Sequence, residues 1–283
     1  MPNAARAGMI TIGPDLEVKR MGYGAMRLTG EGVWGHHRDV DNAHAVLRAA
    51  VEMGVTLIDT ANSYGPEVNE QYIHDALFPY ADDLVIATKG GLTRSGPSEW
   101  HRNGDPAHLK EECEGSIKRL GVDAIQLYQL HAPDPEIPYA ESIGALAELQ
   151  REGKIQQIGI SNVDSLQLEI ACDLVDVVSV QNRFSISDRE SLEVLLACER
   201  HEIAFLPWFP LASGGLADDG PLASVAAAHD ATIYQIALAW LLARSPVIVP
   251  IPGTSSLAHL EENIAAAAIR LNETEMRELD TLA

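Results

Sequence analysis

The fold is decided by three apolar stretches that end in polar residues: VTLIDTA (residues 55–61), LVIATKG (84–90) and AIQLYQLHA (124–132). Each stretch is apolar along most of its length instead of alternating between apolar and polar residues. Such runs predict strands that are buried on both faces, as in a parallel sheet covered by helices. Helix-like segments separate them, so the local order of strand, helix and strand predicts a parallel sheet.

The same alternation continues along almost the whole chain. Five more strands are predicted at MGYGAM (21–26), IQQIGISN (155–162), VVSVQN (177–182), IAFLPWFPL (203–211) and VIVPIPG (247–253). Helices are predicted near 41–53, 67–79, 106–119, 140–152, 164–173, 188–201, 232–243 and 256–268. Eight such units in about 250 residues predict an α/β fold of the (β/α)8 TIM barrel class. Because no linker interrupts the pattern, residues 1–283 are expected to form a single domain.

The segment before the first strand has a different character. MITIGPDLEVKR (9–20) alternates around GPD, which is a turn signal, and predicts a β-hairpin that caps the bottom of the barrel. The alternative fold is an open doubly wound sheet, which carries GxGxxG after its first strand. The chain has GYGAMR (22–27) there, without the third glycine, so the barrel is favoured.

The amino-acid composition limits which partners and which cellular location are expected. Lys and Arg number 20 against 41 Asp and Glu, and the net charge of -21 disfavours nucleic acid and membrane surfaces as partners. Three cysteines without a CxxC pair indicate a reducing compartment. No secretory signal is visible, and the longest apolar run near the C-terminus, IALAWLLA (236–243), is too short to span a bilayer. We therefore expect a cytoplasmic protein that is a monomer or a small homo-oligomer.

Polar side chains stand where the predicted strands end. The second strand ends in Asp59, with Tyr64 five residues later, the third in Lys89 and the fourth in His131. The C-terminal ends of barrel strands share one rim, so these side chains are expected to meet. Each alone has a plainer interpretation, as a helix cap, a packing tyrosine, an ion pair or a loop histidine. No HExxH motif or Cys/His cluster predicts a metal site.

Together the four residues suit one kind of chemistry. A nearby ammonium lowers the pKa of a phenol, a carboxylate keeps the ammonium charged, and a histidine orients a carbonyl oxygen. This combination can protonate the alkoxide that develops as a hydride reaches a carbonyl carbon. Since proteins contain no hydride donor of their own, the reaction requires a cofactor.

The motifs around these residues resemble those of the aldo-keto reductase superfamily. The matching pieces are DTANSY (59–64), TKGG (88–91), LYQLHAP (127–133), GISN (159–162), SVQNRF (179–184), PWFPLASGGL (207–216) and IPGTSSLAHLEEN (251–263). The resemblance implies a barrel that binds NADPH without a Rossmann domain and reduces an aldehyde or ketone to an alcohol. It also implies that Asp59, Tyr64, Lys89 and His131 are catalytic, with Tyr64 as the proton donor.

The resemblance further implies which residues bind the cofactor. Ser161, Asn162 and Gln181 match the trio that holds the carboxamide, and Trp208 stands where an aromatic ring stacks on the nicotinamide. The expected cofactor contacts are Gly24, Ala25, Met26, Ser161, Asn162, Gln181, Trp208, Phe209, Pro210, Leu211, Ser213, Gly253, Thr254, Ser255, His259, Glu262 and Asn263.

Two of these positions depart from the pattern of many members. Gly253 and His259 stand where a lysine and an arginine often bind the 2′-phosphate. Thr254 and Ser255 are expected to open the last helix, whose N-terminus suits a phosphate. Since IPGTSS (251–256) also occurs in NADP-using relatives, the resemblance implies NADPH, with NADH as the alternative cofactor.

Substrate contacts are expected from His131 and from two loop tryptophans, Trp34 in residues 27–39 and Trp100 in residues 91–104. The stretches GYGAMRLTGEGVWG, YGPEVNE, PYADDLVIATK and AWLLARSP resemble a bacterial pyridoxal reductase subgroup, whose members reduce pyridoxal to pyridoxine. A general aldehyde or ketone reductase remains open.

Two other functions fit parts of the pattern. Lys89 could form a Schiff base, as in a barrel lyase or aldolase. The barrel and its cofactor could also serve in a regulatory subunit without catalysis. The carboxylate partner of Lys89 disfavours the first function, and the intact set of four residues disfavours the second.

Overall fold

The structure is a computed structural model that describes residues 1–211, 214–216 and 220–282. Its strands are β1 (Met9–Ile12), β2 (Leu16–Lys19), β3 (Tyr23–Gly24), β4 (Leu57–Asp59), β5 (Val85–Gly90), β6 (Leu92–Gly96), β7 (Glu99–Arg102), β8 (Ile125–Leu130), β9 (Ile155–Ser161), β10 (Val177–Gln181) and β11 (Ala204–Phe205). Its α-helices are α1 (Val40–Glu52), α2 (Val68–Leu77), α3 (Pro106–Leu120), α4 (Tyr139–Arg151), α5 (Ser165–Leu174), α6 (Leu192–His201), α7 (Gly220–Ala228), α8 (Ile233–Arg244), α9 (Leu257–Ala265) and α10 (Glu273–Leu279).

A parallel sheet forms the centre of the molecule, in the order β3-β4-β5-β8-β9-β10-β11. The segment 247–252 closes it. Val249 N donates to Phe205 O at 2.9 Å on one side, and Gly22 N donates to Pro250 O at 2.9 Å on the other. Proline has no N–H, so this eighth segment forms no continuous ladder. The predicted (β/α)8 barrel is confirmed.

The hairpin before the barrel is also confirmed. Strands β1 and β2 pair in antiparallel register, with Ile12 opposite Leu16. Both side chains are buried in one apolar cluster with the barrel-lining Leu57 and Val178. Leu57 and Val178 lie in the early parts of their strands, so the hairpin closes the end of the barrel opposite the strand termini.

One hairpin and two α-helices were not predicted. Residues 91–104, expected as a plain loop, contain the β6–β7 hairpin, whose second strand is exposed along its whole length. Because both strands are largely polar, neither shows the alternation that marks a half-buried strand. The other two elements are α7 and α10, and α10 begins at an Asn272 capping box completed by Glu275.

The core of the barrel continues into the outer helices. Helix α8 buries Ile236, Leu238 and Trp240 completely.

Among the described residues, no single helix is long and apolar enough to cross a membrane. Helices α7 and α8 reach that length and composition only as a pair bent by 92°.

Arg20, just before β3, forms hydrogen bonds to the C-terminal end of α8 and to the segment that closes the barrel. Its half-buried guanidinium donates to Leu242 O at 2.9 Å, Ser245 O at 2.6 Å and Ile248 O at 3.2 Å. A hydrogen bond from a charged group is typically worth about 1.5–3 kcal/mol, so this cation should contribute strongly to closure of the barrel.

Replacing Arg20→Met should lower the free energy of unfolding by about 2–4 kcal/mol, because it removes three hydrogen bonds from a charged group to backbone carbonyls. Urea denaturation followed by circular dichroism measures the loss. Arg48→Met is the matched control, since the Arg48 guanidinium makes one exposed hydrogen bond, to Ala76 O. Equal losses in the two variants would contradict the role of Arg20.

Candidate active site

The structure brings the four predicted catalytic residues together at the C-terminal rim of the barrel. Asp59 ends β4, Lys89 is the penultimate residue of β5, His131 follows β8, and Tyr64 lies between β4 and α2. Lys89 is 0% exposed, Asp59 3%, Tyr64 6% and His131 7%. A charged lysine buried this deeply requires acceptors for all three of its N–H groups.

The ammonium of Lys89 has three acceptors. It donates to Asp59 Oδ2 at 2.7 Å, to Thr60 O at 2.7 Å and to Tyr64 Oη at 3.4 Å. Burial acts to lower the pKa of Lys89, but Asp59 and Tyr64 raise it more, so the pKa lies above its usual range. The lysine is therefore charged, and the phenol oxygen lies on its third N–H.

The second carboxylate oxygen of Asp59 is held by two amides. Gln181 Nε2 donates to Asp59 Oδ1 at 2.8 Å, and Gln129 Nε2 lies 3.3 Å from the same oxygen. These bonds offset part of the cost of burying the carboxylate. Gln129 was not among the predicted site residues, although it stands two residues before His131 and so shares its side of the strand.

Burial raises the pKa of the Tyr64 phenol, and the opposing effect of Lys89 does not cancel this shift. The expectation that the ammonium leaves the phenol with a lowered pKa is therefore wrong in its net direction, because it neglected desolvation. At neutral pH, Tyr64 is protonated and able to donate a proton.

His131 is a neutral imidazole at neutral pH. Burial, reinforced by the charge of Lys89, lowers the pKa of His131 well below 6.5. Its ring lies 5.8 Å from the Tyr64 ring, and its Nδ1 lies 3.5 Å from Ser63 Oγ. A neutral imidazole has one N–H, which can donate to a carbonyl oxygen held beside Tyr64.

A connected set of predicted cofactor residues continues along the rim. Ser161 Oγ donates to Gln181 O at 2.6 Å, and Asn162 Nδ2 donates to His131 O at 2.8 Å. Trp208 Nε1 donates to Asn162 Oδ1 at 3.1 Å. Asn162 has a φ of 59°, in the left-handed region, and this backbone turn directs the chain from β9 towards α5. The structure thus links the trio to the indole.

The loop after β11 places two aromatic rings beside Ser161, Asn162 and Gln181. Trp208 is half-buried, and Phe209 packs edge-on against it, with ring centroids 5.1 Å apart and 38% of Phe209 exposed. Pro210 is buried and Leu211 contacts the core. Ser213 lies outside the described residues.

The first and last strands approach each other closely at two glycines. A Cβ on Gly24 would lie 2.7 Å from Ile251 O, and a Cβ on Gly253 would lie 2.7 Å from Gly24 O. Either side chain would clash with backbone atoms. The close approach therefore explains why glycine stands at position 253. Ala25 and Met26 begin the helical turn that follows β3.

The last barrel helix begins one residue later than expected. Ser256, and not Thr254 or Ser255, is its N-cap, and it accepts a hydrogen bond from His259 N. Thr254 Oγ1 instead accepts from Ser256 N at 3.0 Å, which shapes the turn before the helix. The side chain of His259 is exposed in the first helical turn.

Glu262 and Asn263 lie one helical turn beyond His259 in α9. Glu262 accepts from Thr232 Oγ1 at 2.5 Å, which ties α9 to the start of α8, and Asn263 is 5% exposed.

The two loop tryptophans contact different groups. The ring of Trp100 lies 6.3 Å from that of Tyr64 and 6.4 Å from that of His131, both edge-on. The ring of Trp34 lies 5.8 Å from the Cζ of Arg94, whose guanidinium also stacks on Trp100. Trp100 is thus the loop tryptophan whose ring contacts those of Tyr64 and His131.

Comparison with known proteins identifies the class of this site. The aldo/keto reductase family profile matches residues 20–283, and the chain belongs to that family. An uncharacterized oxidoreductase of Schizosaccharomyces pombe is 47% identical over 279 residues, covering 98% of this chain and 90% of that protein. The family resemblance inferred from the motifs is confirmed, and the chain is an oxidoreductase.

Two further relatives are informative. The pyridoxine 4-dehydrogenase of Escherichia coli is 41% identical over 273 residues, covering 94% of this chain and 95% of that protein, which supports the pyridoxal reductase-like subgroup. The crystal structure of an aldo/keto reductase from Klebsiella pneumoniae in complex with NADP and acetate is 28% identical. It has a TM-score of 0.84 and covers 97% of this chain and 94% of that chain.

The opposite environments of two histidines give a direct test of the electrostatics. His131 should remain uncharged between pH 8 and pH 6. His108 should protonate at a higher pH than a free imidazole, because Glu112 Oε1, 3.0 Å from its Nε2, raises its pKa. Nitrogen-15 NMR of the imidazole rings measures both. Protonation of His131 at or above the midpoint of His108 would contradict the description of the site.

Proposed function

We propose that this protein is an NADPH-dependent carbonyl reductase in which Tyr64 donates the proton. The observation that carries the proposal is the hydrogen-bonded chain from Asp59 through Lys89 to the phenol of Tyr64. A protonated phenol next to a fixed ammonium can release its proton to an alkoxide, because the ammonium stabilises the phenolate left behind. The neutral His131 donates its N–H to the same carbonyl oxygen and orients it.

The residues along the rim fit a nicotinamide cofactor. Amide and hydroxyl groups from Asn162, Ser161 and Gln181 suit a carboxamide, and the half-buried indole of Trp208 offers a stacking surface beside them. When bound, NADPH supplies the hydride that the protein itself lacks. The family membership and the NADP complex of the Klebsiella relative support this cofactor.

Pyridoxal is the proposed substrate, with pyridoxine as the product. The 41% identity to a pyridoxine 4-dehydrogenase supports this choice. Trp100, which is beside both Tyr64 and His131, offers a flat apolar wall for an aromatic aldehyde. The proton from Tyr64 and the hydride together convert the aldehyde to an alcohol, and water then restores the phenol.

The competing functions fit the geometry less well. A Schiff base needs a neutral, nucleophilic lysine, whereas Lys89 is charged and has all three N–H groups bonded. A regulatory subunit would not require a protonated Tyr64 poised beside a charged lysine. We further propose a single catalytic domain over residues 1–283 that acts in the cytoplasm on small carbonyl compounds, as a monomer or small homo-oligomer.

Tyr64→Phe should reduce the rate of carbonyl reduction by about 10²–10⁴-fold, the usual contribution of a positioned general acid. The ring remains, so the affinity for NADPH should be unchanged. The rate is measured from NADPH absorbance with pyridoxal, and the affinity by fluorescence titration. Tyr80→Phe is the control, since the Tyr80 hydroxyl donates to Leu120 O, away from the rim. A Tyr64→Phe rate within a few-fold of wild type would contradict the proposal.

Replacing His259→Arg should tighten NADPH binding at pH 8 by about 3–10-fold and leave NADH binding unchanged. Guanidinium is charged at this pH, whereas most imidazoles are not, and a charged donor binds phosphate more strongly. His201→Arg adds the same charge at the C-terminal end of α6 and serves as the control for long-range attraction. Equal effects of the two changes would contradict the phosphate contact, and a wild-type preference for NADH would contradict the cofactor.

A further inference from the structure

One cation outside the four-residue set connects the loops around the candidate substrate pocket. Arg94 lies in β6 and is half-buried. Its guanidinium donates to five backbone carbonyls, those of Gly32 (2.7 Å), Val33 (2.7 Å), Ser63 (3.1 Å), Gly96 (3.2 Å) and Glu99 (2.8 Å). These carbonyls belong to three segments: the loop after β3, the turn that carries Tyr64, and the β6–β7 hairpin.

The same guanidinium stacks on the pocket wall. Its Cζ lies 3.6 Å from the centre of the Trp100 ring and 5.8 Å from that of Trp34. A contact of 3.6 Å is a close cation–π stack, in which the planar guanidinium restricts the tilt of the indole. Trp100 in turn meets Tyr64 and His131 edge-on. The position of the aromatic wall relative to the proton donor therefore depends on Arg94.

The positive charge of Arg94 is met by neutral groups, namely backbone carbonyls and an indole ring. Among the residues that the structure describes, no carboxylate forms an ion pair with it, although the chain carries a net charge of -21. A loop that needed only a surface anchor could use an exposed ion pair. Here the carbonyls and the indole use both the fork geometry and the charge of an arginine, which a lysine cannot reproduce.

We propose that Arg94 is a positioning residue that fixes Trp100 beside Tyr64 and His131 and thereby selects planar aromatic carbonyl substrates over aliphatic ones. The inference rests on the proposed reductase function and assigns it a substrate class. Arg94 acts through Trp100 and through the loops. It does not act as a substrate ligand, because its N–H groups are already bonded to carbonyls.

The test compares benzaldehyde with butanal as substrates of the holoenzyme at saturating NADPH. Arg94→Lys should raise the KM for benzaldehyde about 3–10-fold, the range expected when an aromatic contact is lost. The KM for butanal, the kcat for both aldehydes and the affinity for NADPH should change less than twofold. Arg102→Lys is the matched control, since Arg102 is an exposed arginine of the same hairpin.

A double-mutant cycle separates positioning from general damage to the loops. If Arg94 acts through Trp100, then Arg94→Lys should have no further effect on selectivity in a Trp100→Ala background. Additive effects of the two substitutions would overturn the inference, as would equal losses for benzaldehyde and butanal. Near-ultraviolet circular dichroism adds a readout without turnover, because Arg94→Met should lose the band that Trp100→Phe also loses.

The outcomes distinguish the inference from the function on which it rests. A wild type that reduces none of pyridoxal, benzaldehyde and butanal with NADPH contradicts the proposed function, and the inference with it. A wild type that reduces pyridoxal but not benzaldehyde contradicts the inference alone. An active wild type whose selectivity is unchanged in Arg94→Lys contradicts the inference alone.

Discussion

The buried ion pair between Lys89 and Asp59, with 2.7 Å between its charged atoms, is the interaction on which the site depends. Burying two charges costs several kcal/mol per ion, and only close pairing with further hydrogen bonds offsets that penalty. The chain supplies those bonds from separate strands, with amides from Gln129 and Gln181 on the carboxylate and a backbone carbonyl on the ammonium. A closed barrel is needed to bring these strands together, so the fold and the chemistry share one constraint.

The architecture separates stability from function along the barrel axis. The β1–β2 hairpin and its apolar cluster close one end, while the polar groups meet at the other. The net charge of -21 opposes a phosphorylated cofactor at long range. Binding of such a cofactor therefore depends on the groups at this rim. The loops at this rim border Tyr64, and the β6–β7 hairpin places the ring of Trp100 6.3 Å from the Tyr64 ring.

Much of the fold could be predicted from sequence because its strands are buried on both faces and stand out as apolar runs. The hairpin over residues 92–102 escaped prediction because its strands are largely polar, with the first half-buried and the second exposed, so that neither leaves an alternating apolar pattern. The meeting of Asp59, Lys89 and His131 followed from their positions at strand ends, and that of Tyr64 from its place in the loop after the second strand. The net direction of the Tyr64 pKa did not, since desolvation depends on three-dimensional burial. Likewise, the five carbonyls around Arg94 are backbone atoms, which no side-chain motif reveals.

The central claim is that Lys89 serves proton transfer by Tyr64 and does not itself bond to the substrate. The most direct measurement incubates the wild-type protein with pyridoxal and NADPH, quantifies NADPH consumed and pyridoxine formed, and treats a parallel sample without NADPH with borohydride. Mass spectrometry then examines Lys89 for a reduced imine. We expect equal amounts of NADPH consumed and pyridoxine formed, with Lys89 unmodified. A borohydride-trapped adduct on Lys89, without consumption of NADPH in the first sample, would contradict it.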